Sequence, residues 1–549
     1  MGLFPDRKHT GIIALAALVL LLPAFILGAG GGDLQCQSLW IKFFSKQFWE
    51  GDLYPRWLMD MYAGNGSPVF FYYPPLTYYI GAVFYKILPQ DYFAYVSLSA
   101  STLLATFLSG ITFFAWIRKE TSDGQAVLGS LLYMAIPFHI GLNFYFILLY
   151  STAWAYVWLP LMLIFARDVA TGKKYGVCGF AVVLGLMIMT NIPSTVVCGP
   201  LAVLYGAAYC DRKLLPSILF KGIAAVLLGF GLAAIFLLPT VFYLQYSLAY
   251  LQWADPRSNS LQNFLEFGIG NTSQLMYSAL WSIQVGLVAG YGVLTRGNKS
   301  NGRKFLIYAS VIVLFMTLST SKTLWDMLVV TRFLQHPARL FIVTTLAISA
   351  LASLPEVKGK YVKPLLVFCV ACVFVLAYQT RITPEQFRQA KPLEYAQYQL
   401  AVDQYPSYLA HAGLVKPYYN KDKLDALSHN SPQIQVVQGD ATYAITRWRP
   451  RDIAFTYSAH SPSELQLRQM YFPVWQAYVN GQPIETLWDD VSDQVVIVLP
   501  AGSGAVTVQL LPMWPEMTGE LITILSASII AIIFLIGLRA RSRETALKH

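Results

Sequence analysis

Charge is what this chain has least of. Only 12% of its 549 residues are Asp, Glu, Lys or Arg, against 56% hydrophobic, whereas a soluble domain carries about a quarter charged residues. That shortage excludes an ordinary water-soluble globule. Cysteine is also scarce. Of six, five (Cys178, Cys198, Cys210, Cys369 and Cys372) fall in or beside apolar segments, which excludes an extracellular disulfide framework. Cys369 and Cys372 have redox or zinc spacing, but inside an apolar helix they read as packing residues one turn apart.

Nucleotide and hydrolase signatures are missing too. There is no Walker lysine loop, no Gly-x-Gly-x-x-Gly after a strand, no His-Glu-x-x-His and no Gly-x-Ser-x-Gly. A donor must therefore arrive from the membrane or its outer face. The net charge of +10 does not bring back a nucleic-acid partner. Its basic residues sit in short clusters between apolar segments, the positive-inside pattern, and no basic-aromatic soluble module accompanies them.

What is present is a series of apolar segments at 11–29, 69–89, 92–116, 125–141, 144–167, 176–191, 193–210, 218–245, 275–295, 304–320, 339–355, 362–380 and 517–538. Most approach the ~20 residues a helix needs to cross hydrocarbon. Between them lie "WIRKE", "RDVATGKKYG", "CDRK", "RGNKSNGRK" and "EVKGKYVK", with "RARSR" in the tail. If these are cytoplasmic, every segment from 92 onward alternates without conflict. Segment 69–89, with two prolines and many tyrosines, fits an interfacial or re-entrant element better than a span. The first segment, led by Arg7, Lys8 and His9, lacks a small-residue cleavage site and reads as an uncleaved anchor. The Asn191-Ile-Pro193 step is the one obvious break among the apolar segments.

Residues 381–515 are different: polar and rich in turn signals. After a helical or irregular stretch to about 430, "QIQVVQ", "ATYAITRW", "DIAFTYSA", "ELQLRQM", "WQAYVN", "QVVIVL" and "AVTVQLL" alternate with the period of strands. Asn480-Gly481 and Ala501-Gly502 mark tight turns, so the pattern predicts an antiparallel sandwich. The expected fold is a polytopic α-helical membrane protein of about 12–13 spans with a C-terminal extracytoplasmic β-sandwich. Its domains are a transmembrane unit 1–380 with an outer loop 30–75, an outer domain 381–515, and a final helix with a basic tail, 516–549.

The first loop holds the densest polar and aromatic cluster. Asp33 follows four glycines at the mouth of the first span. A carboxylate there suits a general base toward an acceptor hydroxyl or amine, or a ligand of a divalent metal. The plainer role is a solvated helix-terminal Asp. Arg56, beside Trp57, stands at the depth of a lipid phosphate, to which its fork is matched; an interfacial anchor is the competing role. Asp52 and Asp60, eight residues apart, are weaker candidates whose plainer role is a solvated helix face. In "TRFLQHPARLF", Arg339 opens a span and either snorkels or faces an anionic ligand. His336 is a base, a ligand or a packing residue. In the sandwich, Trp448, Trp475 and Trp488 suit sugar stacking or core packing.

Taken together, Asp33, "GDLYPRW", "GNGSPVFFYYPPLTYY", "QHPARL" and a terminal sandwich resemble the YfhO-like and 6-pyruvoyl-tetrahydropterin-synthase-related integral membrane proteins. These look like relatives of the GT-C glycosyltransferases, which use polyprenyl-phosphate sugars outside the membrane. The resemblance implies a GT-C-like fold and an inverting sugar transfer to an envelope glycan, lipid or protein acceptor. It also implies a place in the inner membrane with the active site and C-terminal domain facing the periplasm. Asp33 would be the catalytic carboxylate. Arg56, Arg339, His336, Tyr72, Tyr73, Asp52, Asp60 and Asn65 would serve donor and substrate binding. Two departures matter. Tyr73 stands where the aminoarabinose-transferase element has lysine, which shifts phosphate binding to Arg56 and Arg339. Cys36 and Gln37 stand where relatives often carry His, so no metal ligand set is assigned and a divalent cofactor stays open. The competing functions are a transporter or flippase for lipid-linked glycan and a non-enzymatic assembly factor.

Overall fold

The computed structural model describes residues 4–28, 31–88, 95–173, 175–246, 272–328, 334, 337–381, 432–489 and 494–546. Helix α1 (Arg7–Leu27) starts where the Asp6 carboxylate accepts the His9 N–H at 2.8 Å. The 31–75 segment after it folds as α2 (Leu34–Trp49) and two single turns, α3 (Met61–Gly64) and α4 (Val69–Tyr72). Helix α5 (Leu76–Ile87) follows. The bundle continues through α6 (Tyr95–Ile117), α7 (Asp123–Ala135) with a π-helical continuation at Phe138–Phe146, α8 (Tyr150–Ala170), α9 (Gly176–Ile188) and α10 (Ile192–Ala207). Next come α11 (Leu215–Leu232) and α12 (Ala234–Tyr243), then helices Thr272–Leu294, Asn301–Met316, Phe341–Ala352 and Gly359–Gln379.

Among the described residues, seven helices are long and apolar enough to cross a bilayer unaided. Such segments are helical because hydrocarbon offers no partner for backbone N–H and C=O groups, which must bond within the segment. Segment 69–89 departs from its neighbours. Pro74 and Pro75 divide it, since proline lacks the N–H that would continue a helix. Its longer part, α5, has 12 residues, about 18 Å of helix against about 30 Å of hydrocarbon. It is too short to cross.

The polar ends of the bundle are sorted. Arg167 meets Glu120 at 2.6 Å, Arg118 meets Asp123 at 2.7 Å and Lys173 meets Asp168 at 2.8 Å. The Thr121 hydroxyl donates to Ser353 O at 2.6 Å, and the Asn301 amide donates to Ala208 O at 2.8 Å. These contacts gather the basic loops at one end. At the other end lie the 31–75 segment, the turns at 147–149 and 189–191, and the C-terminal sheets.

All seven expected strands are present, and two three-residue strands add to them. The strands are β1 (Ile434–Gln438), β2 (Thr442–Arg449), β3 (Asp452–Ala459), β4 (Ser463–Met470), β5 (Trp475–Val479), β6 (Gln482–Ile484), β7 (Thr486–Trp488), β8 (Gln494–Leu499) and β9 (Gly502–Leu510). They form two sheets, in the orders β1-β4-β8-β7 and β2-β3-β9-β5-β6, with every pairing antiparallel. Asn480 and Gly481 take φ of 49° and 80°, the left-handed pair that closes the β5–β6 hairpin in two residues. The helical stretch expected before the sandwich falls at 382–431, outside the described residues. The last helix, Trp514–Ala546, returns along α11 and α12. Gly519 permits that approach, since a Cβ there would stand 2.6 Å from Ala234 O.

Candidate active site

Asp33 is held through its backbone. Its N–H donates to Ile147 O at 2.9 Å and that of Gly32 to Phe146 O at 3.2 Å. Gly31 can lie this close to the 146–148 turn because it carries no side chain. A Cβ on Gly31 would stand 2.7 Å from the Leu148 Cβ. Although Asp33 occupies the N-cap of α2, its side chain makes no capping hydrogen bond. The half-buried carboxylate faces a site built from three distant parts of the chain.

Tyr73 is the meeting point. Its ring packs edge-on to Trp40 at 4.9 Å and to Tyr78 at 5.8 Å. Its hydroxyl lies 3.1 Å from Ser151 Oγ, which accepts from Asn191 Nδ2 at 2.9 Å. Burial lifts the Tyr73 phenol above its ordinary pKa. The Ser151 hydrogen bond and the Arg339 charge oppose that rise, while Asp33 and Cys36 add to it. A carboxylate from the start of α2 and a guanidinium from the 3₁₀ turn Pro337–Leu340 thus act on one phenol. Cys36 lies beside them, its thiol pushed well up by burial and then by Asp33. A thiol so raised is not a nucleophile. His336 lies outside the described residues.

The other expected site residues have separate engagements. Buried Arg56 donates from Nη2 to Ile235 O at 3.1 Å, stacks 3.9 Å over the Tyr54 ring and approaches Glu520 Oε1 at 3.9 Å. Asp52 pairs with Arg451 at 3.3 Å, and Asp60 with Lys46 at 2.6 Å. The Tyr72 hydroxyl donates to Tyr243 O at 3.2 Å. Asn65, fully buried, donates to Tyr62 O at 2.7 Å and accepts from Gln494 Nε2 at 2.6 Å. The Trp57 indole donates to Gln469 Oε1 at 2.7 Å, and Gln469 Nε2 donates to Gly64 O at 2.6 Å. Much of the polarity of the first loop therefore fastens the sandwich to the bundle.

Trp475 belongs to that joint. It is buried and packs edge-on to Trp57 at 5.6 Å, so core packing is its role. Trp488 is 38% exposed beside Tyr471. Ser151, Trp40 and Gln37, whose Oε1 accepts from the Tyr78 hydroxyl at 2.5 Å, join the site without any sequence motif to announce them. Asn191 was visible only as a helix break, although an Asn two residues before proline after an apolar run is also a capping signal. Among the described residues, no group of three or more His, Cys, Asp or Glu side chains is placed to hold a metal ion.

Residues 70–385 match the model of the 6-pyruvoyl-tetrahydropterin synthase related domain, described as a membrane protein. The chain belongs to this family. Tyr73, Ser151, Asn191 and Arg339 of this family member lie within the matched range; Asp33 and Arg56 precede it. No curated protein matches the chain. Among solved structures it is similar to the arabinofuranosyltransferase AftD from Mycobacteria, at 15% identity and TM-score 0.40, over 68% of this chain and 27% of that one. It is similar to the oligosaccharyltransferase AglB from Archaeoglobus fulgidus, solved with an inhibitory peptide and a dolichol-phosphate, at 15% identity and TM-score 0.37. That match covers 78% of this chain and 58% of the other. A third, ArnT from Cupriavidus metallidurans, matches at 11% identity and TM-score 0.30 over 89% and 97%. The chain thus spans about a quarter of the first structure and under two thirds of the second.

Proposed function

We propose that this protein is a membrane glycosyltransferase that moves a sugar from a polyprenyl-phosphate donor to an envelope glycan, lipid or protein acceptor on the outer face. One observation carries the reading: at the sandwich end of the bundle Asp33, whose N–H donates to Ile147 O at 2.9 Å, and Tyr73, whose hydroxyl lies 3.1 Å from Ser151 Oγ, share one site, and the charges of Asp33 and Arg339 both reach the Tyr73 phenol. Inverting transfer needs a base for the acceptor and cationic or hydrogen-bonding groups for the departing phosphate. Asp33 takes the acceptor proton as the acceptor oxygen or nitrogen bonds to the anomeric carbon. The bond from that carbon to the phosphate oxygen breaks, and its electron pair stays on the phosphate beside Arg339 and Tyr73. Arg56, occupied with Ile235 and Glu520, braces the loop. The gathering of basic loops at the opposite end supports an outward-facing site by the positive-inside rule.

Purified protein incubated with polyprenyl-phosphate sugars and candidate acceptors tests this. Asp33→Asn and Arg339→Ala should each lower transfer by about a hundredfold or more while the protein stays folded in membranes. Undiminished transfer by both variants would sink the reading.

A further inference from the structure

Helix α12 begins two residues after α11 ends, and Ile235 in its first turn has two backbone groups that the helix itself does not serve. Its N–H is among the first four, which have no intrahelical acceptor, and Thr523 Oγ1 of the last helix accepts it at 2.9 Å. Its carbonyl is freed by the sequence. The residue four ahead is Pro239, which has no N–H to donate. Arg56 Nη2 donates to that carbonyl at 3.1 Å. In an apolar bundle a freed backbone group needs a partner from a neighbour, and here the neighbour is the 31–75 segment.

The same arginine holds the turn that leads into Tyr73. Arg56 O accepts the Phe70 N–H at 3.2 Å. Thr240, next after the proline, donates from Oγ1 to Phe71 O at 2.9 Å. The Tyr72 hydroxyl donates to Tyr243 O at 3.2 Å, and the Tyr73 N–H donates to Val69 O at 2.8 Å. A circuit results: from Arg56 to Ile235, along α12 to Thr240, across to Phe71 in α4, and from Phe70 back to Arg56. The Tyr54 ring, 3.9 Å from the guanidinium, supports its plane.

We propose that Arg56 is a positioning residue: by serving the carbonyl that Pro239 frees, it fastens α4 to α12 and fixes where Tyr73 stands in the site it shares with Asp33. The consequence for catalysis rests on the glycosyltransferase reading above. Arg56 and Pro239 thereby have one joint function, distinct from holding a phosphate.

Pro239→Ala returns the missing N–H, so the two positions should be coupled. The full-length protein in nanodiscs is compared as wild type, Arg56→Met, Pro239→Ala and the double variant. Amide hydrogen exchange over residues 69–73 should quicken about tenfold in Arg56→Met, the size expected for one buried hydrogen bond. In the double variant it should stay within about threefold of Pro239→Ala, because the helix then serves its own carbonyl. The kcat for transfer from a polyprenyl-phosphate sugar should follow the same pattern with KM for that donor level, whereas losing a phosphate ligand would raise KM. Unchanged exchange or unchanged kcat in Arg56→Met, a raised KM, or an equal loss with and without Pro239 overturns the proposal. If Arg56→Met folds only together with Pro239→Ala, that rescue is itself the expected coupling. If it folds in neither background, Arg56→Gln takes its place with the same expectations. A folded wild-type protein that transfers nothing overturns the glycosyltransferase reading, and the exchange rates then decide the circuit by themselves.

Discussion

Asp33 owes its place to residues that have almost no side chain. Gly31 lies against Leu148, which itself takes a positive φ of 65°, a conformation that costs a non-glycine residue free energy. Gly31→Ala puts a methyl group 2.7 Å from the Leu148 Cβ, so the turn must move and Asp33 with it. The expected loss is about 1–3 kcal/mol of stability, with transfer slowed at least tenfold through misplacement of the carboxylate. Melting temperature and initial rates on one preparation check both. At this scale, sequence reading singles out a residue type that is out of place: a carboxylate or guanidinium at the edge of hydrocarbon is expensive and so conspicuous. It fails for Ser151 and Asn191, polar but unremarkable residues whose meaning comes from a meeting of three segments. Arg56 was conspicuous for the same reason as Arg339. Its carbonyl partner lies 179 residues away, beyond what position alone reveals.

The sandwich and the 31–75 segment depend on each other as elements. Gln469 serves Trp57 and Gly64 at once. Removing its amide leaves buried groups without partners, at about 1–3 kcal/mol for each. Gln469→Ala should therefore make the sandwich sensitive to limited proteolysis without abolishing membrane insertion. Asp52 adds a pH dependence to the same joint. Burial raises its pKa, outweighing the attraction of Arg451. A carboxyl that titrates near 4 when unfolded and higher when docked contributes stability that is full below about pH 4 and is lost as pH rises through the docked value. Thermal melts across that range should show the slope in wild type and a smaller one in Asp52→Asn. The strands of this domain were legible because a half-buried sheet repeats every two residues. Strands β6 and β7, three residues each, are too short to carry a period. Segment 69–89 was apolar enough to suggest a span, and its proline pair was the better guide.

Across the whole molecule, the basic loops and the sandwich stand at opposite ends. Single cysteines at Lys119 and Trp488 in a cysteine-free background should separate these ends chemically. A membrane-impermeant maleimide should label the Trp488 position in intact cells and the Lys119 position only after lysis; the reverse pattern would overturn the outward orientation. Charge distribution made this layout readable in advance. The fit between the 31–75 segment and the sandwich was not readable, because it consists of pairs such as Trp57 and Gln469, 412 residues apart.

That separation also has a meaning in time. Trp57 and Asn65 leave the ribosome long before Gln469 and Gln494 exist. At about 5–20 residues per second, the wait is roughly 20–80 s. During it, the 31–75 segment has apolar and polar surface with no final partner, and a chain cut short before the sandwich stays in that condition. The nascent protein thus passes through a half-built stage in which the loop that holds its candidate site is its least protected, and chaperones or proteases on the sandwich side of the bundle have that interval in which to act.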